Sequence, residues 1–231
     1  MTFKTGQWGG WEKFRQGKAY DFIMGLPLIA WFIYVMIQFR PVLGNSALAM
    51  LQQPSNVFIA LRFYSYFAAA AFAFLNIVMI VIRTSPIRRS KGLSPRAFAI
   101  AGTFVGVGIN RLPPASLTLF EQSLALMLIL VGSIGSVIAI SKLGKSFSIM
   151  PEARTLRTTG PYALARHPLY VAEMFSIAGT AMLYQQPWGV LLALSVGILQ
   201  VIRSLFEEKV LTEQYPEYAD YKKRVKRFGF V

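Results

Sequence analysis

The chain has 231 residues, of which 55% are hydrophobic and 15% are charged, and its formal net charge is +14. Soluble domains usually carry about 25% charged residues, so this composition favours an integral membrane protein and excludes an ordinary soluble domain between the apolar runs. Because the chain has no cysteine and a single histidine, His167, we exclude disulfides, thiolate chemistry and a zinc site built on several histidines, and we predict no metal site.

Uncharged apolar runs follow one another along the chain and predict membrane-spanning helices. A bilayer core of about 30 Å needs about 20 helical residues. The first run follows a basic N-terminus without a small-residue cleavage pattern, so we expect a span and not a removed signal peptide. The first four runs are Phe22–Phe39, which ends at Arg40-Pro41, then Phe63–Ile82, the shorter Ala97–Asn110, and Gln122–Ser141.

The fifth run, Met174–Ile202, is too long for one span and too short for two, and it is interrupted around Pro187. A helical hairpin that turns at Pro187 has to recruit residues on both sides. That hairpin would bring Glu173 and Arg203 opposite each other at the inner edge of the membrane. Charged groups at this depth are costly unless they are paired or solvated, so both are functional candidates.

The basic residues indicate the orientation of the spans. With six spans, all of the 24 Lys and Arg residues except Arg40, Arg62 and Arg111 fall on one side of the membrane. Because Lys and Arg favour cytoplasmic loops, we predict an all-α bundle of about six spans with both termini in the cytoplasm. Five spans would put one basic end outside. We expect the basic stretch at 222–227 to contact lipid headgroups, and we predict no nucleic-acid partner.

The polar residues divide the chain into two regions. Seven of the ten acidic residues, and His167, lie from Glu152 onward. We therefore interpret 1–139 as a transmembrane scaffold of about four helices and 140–231 as a catalytic region of loop, hairpin and cytosolic tail. Pro168 biases His167 away from helical geometry, so His167 is expected in a turn before the fifth span. Arg203 and Glu207 share a helix face, which also suits an ordinary intrahelical pair.

Three motifs in this region resemble the isoprenylcysteine carboxyl methyltransferase family, which is related to the membrane phospholipid N-methyltransferases. The motifs are Gly-Pro-Tyr-x3-Arg-His-Pro-x-Tyr (160–170), Arg-x3-Glu-Glu (203–208) and Tyr-Pro-Glu-Tyr-x2-Tyr-x3-Val (215–225). The resemblance covers residues 140 to 228, whereas 1–139 match only as generic spans.

The resemblance implies that S-adenosylmethionine binds from the cytosolic side. It implies cofactor contacts from the loop and fifth span and a cover formed by the sixth span and the tail. It places Arg203 near the acceptor, with Glu173 close by, and Glu207 is a further catalytic candidate. The implied cofactor-binding residues are Tyr162, Arg166, His167, Pro168, Tyr170, Glu207, Glu208, Tyr218 and Tyr221.

The nature of the acceptor stays open at this point. A carboxylate acceptor needs no general base and suits the guanidinium of Arg203, whereas an amine must lose a proton, which Glu207 or His167 could accept. The candidates are a prenylcysteine-like carboxylate, a lipid amine or a thiol, reached from the bilayer. Two other functions remain: an NADPH-dependent membrane reductase of the sterol type, and a non-catalytic membrane subunit. The oligomeric state cannot be read from the sequence. In a bacterium, the expected location is the inner membrane with the site facing the cytosol.

Overall fold

The computed structural model describes residues 14, 17–90 and 92–229, and these residues are mostly helical, as predicted. The elements are α1 (Lys18–Gln52), α2 (Val57–Ile82), β1 (Arg88–Arg89), α3 (Ser94–Phe104), α4 (Leu119–Leu143), β2 (Glu152–Ala153), α5 (Pro168–Met182), α6 (Trp188–Gln214) and α7 (Tyr218–Arg224). Short 3₁₀ helices lie at Val105–Arg111, Gly144–Ser146 and Gly160–Ala163. Most of the basic N-terminal segment used to predict the orientation, and Lys91, lie outside the described residues.

Four of the described helices are long and apolar enough to cross a membrane: α1, α2, α4 with its following turn (Leu119–Ser146), and α6. The other two predicted spans correspond to α3 with the 3₁₀ helix after it, and to α5. The helix of α3 has 11 residues and α5 has 15, so both are shorter than an ordinary span. The count of six spans and the cytoplasmic termini therefore remain predictions.

The first helix is longer than its apolar run. The apolar run ends at Arg40-Pro41, but α1 continues through Pro41 and ends at Gln52. Proline lacks the N–H that would bond to the preceding turn, and membrane helices tolerate this loss when neighbouring groups compensate. The helix therefore does not end where the predicted apolar run ends, because the polarity of a run does not mark the end of its helical hydrogen bonding.

Side-chain caps define the starts of α2 and α4. The Asn56 side chain accepts hydrogen bonds from the backbone N–H groups of Phe58 and Ile59, at 3.1 and 3.2 Å. Thr118 and Glu121 form a reciprocal capping box, in which the Thr118 N–H donates to Glu121 Oε2 at 2.8 Å. Each cap satisfies backbone donors that would otherwise lack partners at the helix start.

The predicted hairpin is confirmed. α5 ends at Met182, and α6 begins at Trp188 directly after Pro187. The connection is fastened to the segment before α4, because the Gln185 N–H donates to the Pro113 carbonyl at 2.9 Å. The hairpin therefore returns the chain to the end of the bundle where α5 began.

Glycines allow the helices around the hairpin to approach closely. A Cβ atom on Gly132 of α4 would lie 2.4 Å from Ser176 N and 2.6 Å from the Ala172 carbonyl oxygen of α5. Gly102 of α3 faces Arg203 of α6, and a Cβ atom there would lie 2.8 Å from Arg203 Cδ. Helices in lipid associate through such small residues. Gly102 thus leaves room for a guanidinium side chain between α3 and α6.

We predict that Gly132→Ala lowers the stability of the purified protein. The added methyl group meets backbone atoms of α5 that cannot rotate away, and overpacking of this kind costs about 1–3 kcal/mol. Thermal unfolding in detergent should show a lower midpoint. The matched control is Gly44→Ala on α1, where an added Cβ has no atom within 4 Å. Equal midpoints for the two variants would contradict the close contact between α4 and α5.

Candidate active site

A cavity of about 690 Å³ lies inside the helical bundle and joins a polar end to an apolar end. Its size suits a small-molecule site, for which about 300–1,000 Å³ is usual. All the predicted site residues except Pro168 and Glu208 line it. The lining members of that set are Tyr162, Arg166, His167, Tyr170, Glu173, Arg203, Glu207, Tyr218 and Tyr221.

Glu208 is buried behind the cavity wall, where cationic groups surround its carboxylate. Arg227 donates to both of its oxygens, at 2.9 and 3.0 Å, and Arg166 Nε donates to Oε1 at 3.1 Å. His167 Nε2 lies 3.2 Å from the same oxygen. Arg166 and His167 belong to the loop before α5, and Arg227 belongs to the tail. Glu208 therefore connects three segments that are distant in sequence, and its predicted contact with a cofactor remains untested.

Backbone hydrogen bonds strengthen this connection between the loop and the tail. The N–H groups of Arg166 and His167 donate to the carbonyls of Lys226 and Arg227, at 3.0 and 2.9 Å. The Tyr221 hydroxyl donates to the Tyr162 carbonyl. His167 therefore lies in a turn that the tail holds in place, as the Arg-His-Pro sequence predicted.

Glu207 directly precedes Glu208 on α6, and it lines the cavity. The Tyr170 hydroxyl donates to Glu207 Oε1, and His167 Nδ1 lies 3.7 Å from Glu207 Oε2. The rings of His167 and Tyr170 are nearly parallel, with centroids 5.4 Å apart. These contacts hold a carboxylate, an imidazole and a phenol together at the polar end of the cavity.

Arg203 and Glu173 meet through a residue that the sequence did not single out. Gln200 donates from Nε2 to Glu173 at 2.6 Å, and it accepts from Arg203 Nη1 at 3.1 Å. Arg203 Nη2 donates to the Ile149 carbonyl at 3.1 Å, and its guanidinium lies 5.0 Å from the centre of the Tyr170 ring. The predicted position of Glu173 and Arg203 on neighbouring helices is thus confirmed. Gln200 was detectable, because it lies one helical turn before Arg203 on the same face.

The scaffold also reaches the cavity wall, which the sequence did not suggest. Asp21 at the start of α1 is buried and binds Arg83 and Arg154, at 2.8 and 3.1 Å. Arg154 in turn lines the cavity. Asp21 is noticeable in the sequence as a lone acidic residue at the start of a predicted span. Its arginine partners, however, are known only from the tertiary structure.

The tyrosines that cover the polar end stay neutral over a wide pH range. Burial raises the pKa of Tyr221 to about 12, and burial also raises the pKa of Tyr218. Burial raises the pKa of Tyr162 well above its usual value, and its hydroxyl has no hydrogen-bond partner among the described residues. These phenols therefore add aromatic faces to the site without adding negative charge, and the Tyr162 hydroxyl adds an available hydrogen-bond donor.

The comparisons with known proteins concern this same part of the chain. Residues 120–218 match the family described as phospholipid methyltransferase. The match confirms the family predicted from the motifs. It covers α4 from Phe120, the loop, the hairpin and the first residue of α7, so this methyltransferase region contains most of the residues at the polar end of the cavity.

Two relatives share part of the sequence. One is the nickel-cobalt-cadmium resistance protein NccN of Alcaligenes xylosoxydans xylosoxydans, 37% identical over 106 residues, which are 44% of this chain and 49% of that protein. The other is the cobalt-zinc-cadmium resistance protein CzcN of Cupriavidus metallidurans, 40% identical over 77 residues, which are 32% of this chain and 35% of that protein. The aligned part thus spans about half of the first relative and about a third of the second. In the described part of this chain, no group of three or more His, Asp or Glu side chains could hold a metal ion.

We predict that Glu208→Gln destabilises the methyltransferase region and loosens its tail. The substitution leaves Arg166 and Arg227 without a compensating charge at a buried position, and breaking a buried ion pair costs about 3–5 kcal/mol. Thermal unfolding should show a lower midpoint, and trypsin should cleave the tail faster.

Asp220→Asn is the matched control for this change. Asp220 pairs with Lys223 on the surface, where both side chains are about three-quarters exposed. Exposed pairs contribute about 0–1 kcal/mol, so neither measurement should change. Similar behaviour of the two variants would show that Glu208 does not hold the loop and tail together.

Proposed function

We propose that this chain is a membrane methyltransferase that uses S-adenosylmethionine and acts on a lipophilic acceptor at the cytosolic face of the membrane. One observation carries the proposal: the matched methyltransferase region contains a polar cluster that opens into a cavity with an apolar end. In a bacterium the membrane would be the inner membrane. Methyl transfer is proposed for this chain, whereas metal resistance is named only for the two relatives.

The residues at the polar end fit S-adenosylmethionine. When bound, this cofactor supplies a methyl group on a positively charged sulfonium. Aromatic faces and carboxylates stabilise such a cation, and the cavity offers Tyr162, Tyr218 and Glu207. The buried hydroxyl of Tyr162 has no partner among the described residues and can donate to a polar group of the cofactor. Tyr170 and His167 would complete the cofactor wall, since their stacked rings lie beside Glu207.

Arg203 and Glu207 would act on the acceptor. Gln200 and the Ile149 carbonyl hold the guanidinium of Arg203, and its buried Nε has no hydrogen-bond partner among the described residues. That donor suits a carboxylate acceptor. If the acceptor is an amine, Glu207 can accept its proton, and the nearby His167 can share that charge. In both cases the main contribution of these residues is to align the acceptor for in-line transfer.

The rest of the cavity would accommodate the apolar part of the acceptor. Its lining includes aromatic and aliphatic side chains from α1, α2, α4 and α5: Trp31, Phe32, Phe39, Phe72, Ile129 and Ile177. Burial of apolar surface contributes about 25 cal/mol per Å², so a hydrocarbon chain would bind here without a polar anchor for each carbon. The bilayer would supply such an acceptor directly.

We predict that S-adenosylhomocysteine raises the thermal unfolding midpoint of the detergent-solubilised protein, whereas NADPH does not. A ligand at 100 times its Kd stabilises the folded state by about 2.7 kcal/mol. Stabilisation by NADPH alone would instead favour a membrane reductase. A response to neither ligand would favour a non-catalytic subunit.

We predict that Arg203→Lys and Glu207→Gln reduce methyl transfer by at least about 100-fold, within the range that positioned acid–base groups contribute. Transfer of labelled methyl groups from S-adenosylmethionine to a total lipid extract measures this loss, and thermal unfolding checks that each variant is folded. Asp220→Asn, a change at an exposed position of α7 that the motif leaves unspecified, is the control and should keep full activity. Full activity in both site variants would remove these two residues from the site.

A further inference from the structure

A second charged cluster lies beside the cavity, near the start of α1 and the end of α2, and two of its members, Glu152 and Arg154, line the cavity. Arg154 Nη2 donates to both carboxylate oxygens of Asp21 at 3.1 Å and to Glu152 at 2.9 Å. Arg83 lies 2.8 Å from Asp21, and Arg89 lies 3.7 Å from both Asp21 and Glu152. The cluster thus contains three guanidinium groups and two carboxylates, and it carries an excess positive charge.

Arg154 has donors that this cluster does not use. Its Nε and Nη1 atoms are buried and have no hydrogen-bond partner among the described residues, although the residue is only 2% exposed. These atoms carry three of the five N–H groups of the guanidinium. Buried donors are nearly always paired, so this exception calls for a physical reason. Arg154 lines the large cavity, so a ligand bound there is a candidate partner for these donors.

We propose that Arg154 binds the anionic head, a carboxylate or phosphate group, of the amphiphile whose apolar part occupies the same cavity. The inference rests on the proposed function in so far as this amphiphile is the methyl acceptor. An anion at Arg154 neutralises the excess charge of the cluster and accepts from its free N–H groups. A neutral or cationic head would do neither.

The contacts that hold the Arg154 side chain in place assign this residue to the acceptor and not to the cofactor. Asp21 at the start of α1 binds its side chain, and the same carboxylate binds Arg83, which directly follows α2. These two helices also supply the aromatic lining of the apolar end. The loop and tail around His167, which form the proposed cofactor wall, are held by separate contacts to Glu208.

The backbone of Arg154 is held as well. The Tyr215 hydroxyl, at the end of α6, donates to the Arg154 carbonyl. The guanidinium is therefore oriented before a ligand arrives, which lowers the entropic cost of binding. Asp21 and Arg83 lie at the ends of two helices that are long and apolar enough to cross a membrane, and such ends would lie near lipid headgroups, where an amphiphile carries its charge.

The test compares amphiphiles that have the same chain and different heads. Thermal unfolding in a non-ionic detergent is followed against dodecyl phosphate, dodecanoate, dodecanol and inorganic phosphate. We expect the two anionic amphiphiles to bind the native protein at least about tenfold more tightly than dodecanol, a difference of about 1.4 kcal/mol. Inorganic phosphate should have little effect, because it lacks the apolar part.

Arg154→Lys keeps a positive charge near Asp21 and Glu152 but removes the guanidinium donors, so it should abolish the preference for anionic heads. Arg83→Lys is the matched control, since Arg83 is buried in the same cluster but does not line the cavity, and it should keep the preference. Glu152→Gln adds net positive charge beside Arg154 and should strengthen the preference. This last variant also tests the proposal if Arg154→Lys does not fold.

Several outcomes would overturn the proposal. They are equal binding of anionic and neutral heads, the same loss in both Lys variants, or stabilisation by inorganic phosphate as strong as that by dodecyl phosphate. S-adenosylhomocysteine and methylthioadenosine, which lacks the carboxylate, are compared in parallel. If Arg154→Lys removes a tighter binding of S-adenosylhomocysteine than of methylthioadenosine, Arg154 binds the carboxylate of the cofactor instead. A preference for anionic heads without any response to S-adenosylhomocysteine would support the anion site and contradict the methyltransferase proposal.

Discussion

The buried carboxylate of Glu208 is the interaction on which the site depends. A carboxylate that loses water at the edge of a membrane helix is costly unless cations and hydrogen bonds replace that water. Here the replacements are Arg166 and His167 from the loop and Arg227 from the tail. Because no single segment supplies them all, neutralising Glu208 requires α6, the loop and the tail to assemble together. The wall that bears His167, Tyr162 and Tyr221 exists only in that assembly.

The cavity lies between two charged clusters of different character. The cluster around Glu208 is one carboxylate among several cations, and most of its hydrogen-bonding capacity is satisfied within the protein. The cluster around Arg154 has more guanidinium groups than carboxylates, and some of its donors have no hydrogen-bond partner within the described part of the chain. The first cluster holds the site together, and the second retains capacity to bind a ligand. Much of the remaining lining is apolar, so a molecule with a charged head and a hydrocarbon chain would match the polarity of the space.

Much of this arrangement was predictable because bilayer thickness and helix geometry impose simple lengths. The uncharged run of 174–202 required a hairpin, and the hairpin required Glu173 and Arg203 to face each other. The link through Gln200 was not predicted, since an amide inside an apolar helix resembles ordinary packing. Asp21 and Arg154 are 133 positions apart in sequence, and no local pattern signals such a pair. The continuation of α1 through Pro41 was missed because polarity, not hydrogen bonding, was used to end the run.

The adjacent residues Glu207 and Glu208 show how helix geometry divides two roles between identical side chains. Successive residues on an α-helix point about 100° apart. Glu207 therefore shares its face with Gln200 and Arg203 and reaches the cavity, whereas Glu208 turns toward the loop and tail. The same carboxylate chemistry is surrounded by cations in one position and bound mainly by a phenol in the other. Glu207 thus faces the cavity, whereas every close partner of Glu208 also holds a segment of the fold.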